Sequence, residues 1–139
     1  MKKLIYVLLF VFVLASCAPQ DCSTERVEAG ITAMTDVLSD FQKDVQIAGS
    51  MPRIALGPAL QSLNEDRKAL EDVEVPACLQ PAKENLQTSF DRAITGFTDF
   101  LEEKSDTVVQ KDFDTAGIYL DKYRSEIIRV RECAPDCEE

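Results

Sequence analysis

From Thr24 onward the apolar residues fall at steps of three and four: Val27, Ile31, Met34, Leu38, Phe41, Val45 and Ala48. With 3.6 residues per turn these positions share one face, so the spacing predicts an amphipathic helix over 24–48. A second stretch starts near Pro52 and carries Leu56, Leu60, Leu63, Leu70 and Val73, with Arg67 interrupting the stripe. Gly57-Pro58 leaves its start open, at Pro52 with a bend or at Pro58 itself, because proline inside a helix removes a hydrogen bond. A third follows Val75-Pro76, with Leu79, Ala82, Leu86, Phe90, Ala93, Phe97 and Leu101; its Pro81 fits only within a first turn. The fourth spans about 107–133, with Val109, Phe113, Ala116, Leu120, Tyr123, Ile127 and Val130, and Ala134-Pro135 stops it. Arg67 is expected to lay its stem on the core and lift its charge to water.

No segment alternates with period two, and the separators at 49–51, 74–77 and 103–106 are short. Short connections make neighbouring helices antiparallel, and four amphipathic helices together enclose a core that none could enclose alone. The pattern predicts an all-α fold, an antiparallel up-and-down four-helix bundle. At 1.5 Å per residue its first, third and fourth helices would each run roughly 37 to 40 Å.

Ahead of these stripes lie Lys2 and Lys3, then an unbroken apolar run over residues 4–15, then small residues. This is the layout of a secretory leader. The run is too short for a membrane-spanning helix, which takes roughly twenty residues. At its end stands Leu14-Ala15-Ser16-Cys17, which resembles the lipobox of bacterial lipoproteins. The resemblance covers only the leader and Cys17. It implies a diacylglyceryl group on the Cys17 sulfur, a cut by a type II signal peptidase between Ser16 and Cys17, and acylation, as with palmitate, of the new amino terminus. Such dual anchoring is stable where a single chain would bind weakly. Ala18, rather than Asp, after the cysteine points to the outer membrane in a host with two membranes. The expected organisation is a signal peptide at 1–16, a lipidated tether at 17–23 and one four-helix domain at 24–139, outside the cytoplasm and held to a membrane by lipid.

Removing residues 1–16 leaves 123 residues, one domain of ordinary size. The leader takes two lysines with it, so the net charge moves from −10 to −12. That balance argues against nucleic acid, whose phosphates call for clustered Lys and Arg. Beyond Cys17, an even set of cysteines remains: Cys22, Cys78, Cys133 and Cys137. In an oxidising compartment they read as two disulfides, with three connectivities open. In a bundle whose third and fourth helices are a hairpin with equal arms, Cys78 would meet Cys133, leaving Cys22 for Cys137. Cys22 with Cys78 and Cys133 with Cys137 would also permit the bundle. Metal binding by these cysteines lacks both a CxxC pair and any histidine.

The absence of histidine also removes the usual base for a serine or cysteine nucleophile, and with it the histidine ligands of haem and di-iron bundles. Residues 112–117, DFDTAG, echo the first half of a calcium loop, but Ala116 and Tyr123 stand where ligands belong. The pairs Glu71/Asp72, Glu102/Glu103 and Glu138/Glu139 read as solvated faces and turns, since adjacent helical residues do not face each other. Arg124, Arg129 and Arg131 end the fourth helix, where cations oppose its dipole, and with Arg26 they could touch anionic head groups. No catalytic residue, metal site or cofactor is expected. The expected role is a non-enzymatic interaction or structural protein of the cell envelope, with a membrane and an envelope protein as the expected partners. The alternative is a module holding a small apolar ligand between its helices.

Overall fold

The computed structural model describes residues 22–133. The leader, the lipobox with Cys17, and Cys137 lie outside the described residues. Among the described residues the chain is all-helical, and four long helices pack together: α1 (Thr24–Ser50), α2 (Leu56–Asp72), α3 (Gln80–Leu101) and α4 (Asp106–Cys133). Short 3₁₀ turns at Arg53–Ala55 and Ala77–Leu79 lead into α2 and α3.

The helix ends follow from local chemistry. Met51 precedes Pro52, and the proline ring disfavours helical backbone in the residue before it; Met51 is extended (φ −84°, ψ 144°) and α1 stops at Ser50. The start left open in the sequence is settled at Leu56, with Pro58 inside the first turn of α2. Its missing N–H costs nothing there, because the first N–H groups of a helix have no partner within it. Pro81 likewise sits in the first turn of α3. At the far end of α2 the Lys83 ammonium, buried on α3, donates to the Glu71 and Val73 carbonyls at 2.8 and 2.6 Å and so caps them from a neighbouring helix. Helix α3 ends where Glu103 turns left-handed (φ 61°) and the Lys104 N–H bonds back to the Asp99 carbonyl at 3.0 Å. The Lys104 ammonium meets the buried Asp99 carboxylate at 2.6 Å and closes the same turn.

The core takes in most of the expected stripe residues. Met34, Leu63, Leu70, Leu79 and Leu86 are fully buried, each contributing roughly 1.5 to 3 kcal/mol by leaving water. Phe41 and Phe90 stack with ring centroids 3.6 Å apart, joining α1 to α3. Helices α3 and α4 approach closely because Ala82, Ser89 and Gly96, seven residues apart on α3, are small and buried. A Cβ on Gly96 would stand 3.0 to 3.2 Å from the Phe113 ring, and the Ser89 hydroxyl reaches the Ala116 backbone carbonyl at 2.8 Å. Arg67 does more than lift its charge to water: its guanidinium bonds Asp91 of α3 and Glu71 of its own helix.

The two leading disulfide pairings are overturned in favour of the other connectivity left open for Cys22. Cys22 is bonded to Cys78, Cα to Cα 6.2 Å, and not to Cys137; Cys133 is exposed, is not the partner of Cys78, and is unpaired among the described residues. The expectation assumed equal arms. Helix α4 has 28 residues against 22 in α3, and Cys133 lies about one turn, ~6 Å, farther from their connection than Cys78 does. Meanwhile Gly30 lets the segment before α3 settle onto α1: a Cβ there would meet Leu79 at 3.0 Å and Pro76 at 3.4 Å. Cys78 is thereby carried to the start of α1, where Cys22 stands.

Candidate functional site

Three places could engage a partner, and each is set by the helix packing. The first is the end formed by the α1–α2 and α3–α4 connections. Arg53 joins them, donating to Glu103 at 2.9 Å while its guanidinium carbon lies 4.7 Å from the centre of the Phe100 ring. Beside this link Ile54 is 96% exposed, and Ile47, Leu101 and Val108 are exposed at the same helix ends. A large aliphatic so open on a tight turn gains nothing for the fold.

The second place is a cleft of about 280 Å³ between α1 and α4, floored by α3. Helices α1 and α4 meet only sparsely, whereas α3 and α4 are in contact along their lengths. Leu38 and Val45 on one wall and Phe113 and Leu120 on the other are half-buried, packed against the core on one side and facing the cleft on the other.

The third is an acidic seam between α1 and α2. Asp66 of α2 has one carboxylate oxygen buried without a hydrogen-bond partner. Burial, and then the carboxylates of Asp44 and Asp40 across the seam, push its pKa up to about 6. Lys43 pairs with Asp40 at 2.7 Å, and that contact holds its ammonium above the ordinary lysine range.

The other sequence candidates fall into ordinary structure. Residues 112–117 lie within α4, where Asp112 faces Arg92 at 3.4 Å. Among the described residues no group of three or more Cys, Asp or Glu is placed to hold a metal ion. Arg124, Arg129 and Arg131 are each engaged by a carboxylate, Asp121, Glu126 and Glu28 respectively, so none is an unpaired cation for head groups. Glu71 pairs with Arg67, Glu102 with Lys104 and Glu103 with Arg53; Glu138 and Glu139 lie outside the described residues. Cys17, the lipidation candidate, is also outside them, and among the described residues no helix is long and apolar enough to cross a membrane.

Sequence reasoning missed Lys83, Ser89, Asp99 and Asp66. Lys83 had a signal of the same kind as Arg67: a cation four residues after Leu79 and three before Leu86, inside an apolar stripe. No protein-family model, curated protein or solved structure matches this chain.

Proposed function

We propose that this chain is a lipid-anchored extracytoplasmic bundle that presents its far end to a protein partner of the cell envelope and catalyses no reaction. In this reading lipid on Cys17 holds the tether, and the helices alternate in direction, up, down, up and down. Two links support the alternation. The disulfide sets the start of α3 beside the start of α1, and the Arg53–Glu103 pair sets the two intervening connections together. The far end is then the one carrying Ile54, Ile47, Leu101 and Val108. Four exposed aliphatics at one end of a charged, acidic body are the observation that carries the reading, because burial of such side chains against a partner is favourable at roughly 25 cal/mol per Å².

The test is a photo-crosslinking residue in place of Ile54 in the anchored protein, in its own envelope. A discrete crosslinked protein, absent when the residue replaces Glu84 instead, is the expected result. Equal labelling at both positions sinks the reading. Cys17→Ala should separately abolish incorporation of labelled palmitate, and continued incorporation would remove the anchor from the proposal.

A second reading, a module that holds a small apolar ligand between its helices, is favoured by one observation, the cleft between α1 and α4.

A further inference from the structure

We infer that the cleft between α1 and α4 is a binding site for one saturated alkyl chain bearing an uncharged or cationic head group; this rests on the small-ligand reading and names its ligand class. The volume sets the size. About 280 Å³ lies just below the usual range of ligand pockets, which suits a single slender chain rather than a ring system or a branched ligand. The space is a narrow apolar groove between two helices, which suits a slender unbranched chain lying along it.

The walls set the chemistry. Leu38, Val45, Phe113 and Leu120 face the space over the stacked rings of Phe41 and Phe90. Ser89 and Gln42 are the polar side chains that border it, and the Ser89 hydroxyl is already donated to the Ala116 carbonyl. Apolar walls exposed to water in this way are covered favourably by hydrocarbon. No lysine or arginine lines the cleft. A carboxylate drawn inside would lie buried without a counter-charge, at high cost. The body's net charge of −10 repels an anionic head group from the mouth as well, which leaves neutral or cationic amphiphiles.

Gly117 lies at the mouth, exposed, and a Cβ there meets nothing within 4 Å. A Cβ at 117 is free of the fold and at the entrance, so a larger residue there should obstruct entry, and since glycine is a poor helix former Gly117→Leu should leave the helix no weaker. Gly49 is equally unencumbered and lies away from the cleft, which makes Gly49→Leu the matched control.

The experiment titrates the full chain carrying Cys17→Ser, which removes the lipid, with decanol, decyltrimethylammonium, decanoate and naphthalene. Calorimetry reads affinity, and methyl NMR shifts at Leu38 and Leu120 read position. Expected are one-to-one binding of decanol and decyltrimethylammonium, at least tenfold weaker binding of decanoate, and at least tenfold loss in Gly117→Leu but not in Gly49→Leu. Decanoate binding as tightly as decanol overturns the head-group assignment. Alkyl binding that survives Gly117→Leu lies elsewhere and overturns the site. If naphthalene binds and no alkyl chain does, this inference fails while the small-ligand reading stands; if no probe binds, both fail.

Discussion

Helix α4 meets its two neighbours in opposite ways. Against α3 it closes down to side-chain-on-backbone contact: Phe113 lies on Gly96, and Ser89 reaches the Ala116 carbonyl. Against α1 it is joined near its end by the Arg131–Glu28 pair, and farther along the two helices part around the cleft. That pair is exposed to water and contributes little. Both seams are lined by the same kind of apolar stripe. What distinguishes them is small residues at seven-residue intervals on α3, which let a neighbour approach, whereas α1 presents the bulky Leu38, Phe41 and Val45 to the cleft. A stripe states which face a helix turns inward; the sizes along it decide whether the seam shuts.

The largest test of this contrast is a pair of truncations. Phe90→Ala removes a ring that is fully buried and stacked on Phe41, and should destabilise by about 3 to 5 kcal/mol. Leu120→Ala removes a half-buried side chain already facing open space, and should cost about 1 kcal/mol, since little new cavity forms. Urea unfolding measures both. Equal losses would mean that the α1–α4 seam is as closed as the other.

With so little joining it to α4, α1 depends on α2, on the Phe41–Phe90 stack against α3 and on the disulfide. Closing a loop between residues 56 apart stabilises by about 4 kcal/mol in the chain-entropy picture. Cys78→Ser should lower stability by a large part of that, and hydrogen exchange should quicken in the first turns of α1 while the α3–α4 seam stays protected. Uniform quickening would show that α1 is not the separately held helix. A non-reducing peptide map of the protein should join 22 to 78; a peptide joining 78 to 133 would contradict the packing at Gly30.

Glycines sharpen the same point at a smaller scale. Gly96→Ala drives a methyl into the Phe113 ring and should cost about 1 to 3 kcal/mol, as overpacking does. Gly117→Ala, four residues after Phe113 on α4 but at the open mouth, should stabilise by up to about 1 kcal/mol through helix propensity. Thermal melts of the two variants should move in opposite directions.

These seams mark the limit of what the pattern disclosed. The helices and most of the core were legible, because three- and four-residue spacing is a direct consequence of helical geometry and burial. The disulfide partner was not: it depended on a 3₁₀ turn that shortens α3 and on the absence of one Cβ at Gly30, neither of which alters periodicity. The cleft was hidden for a related reason, since Leu38, Val45, Phe113 and Leu120 occupy stripe positions indistinguishable in sequence from those of fully buried neighbours. Closeness of α3 and α4 was written in Ala82, Ser89 and Gly96, a spacing visible only when small residues are counted as part of the stripe.

The smallest effect concerns the other seam that holds α1. Asp66 faces Asp40, Lys43 and Asp44 of α1, with Glu65 beside it, and its pKa stands at about 6 against an ordinary 3.8. The folded state therefore binds this proton more tightly than the unfolded chain does. Stability from this group is fully present below about pH 4, falls as the pH rises toward 6, and levels off above it. In a fully enclosed site such a displacement would correspond to about 3 kcal/mol, at ~1.4 kcal/mol per tenfold. Asp66 is only partly buried, and solvent screening reduces the expected effect to about 1 kcal/mol. The chain has no histidine, so no side chain of ordinary pKa competes with this titration between pH 5 and 7. Urea midpoints should decline as the pH rises from 5 to about 6 in the native protein and level off above it, and should stay flat in Asp66→Asn, which holds the neutral shape at every pH. Hydrogen exchange should show the loosening in α1 and α2 and not between α3 and α4. A slope that persists in Asp66→Asn would assign the titration to another group and leave the α1–α2 seam indifferent to pH.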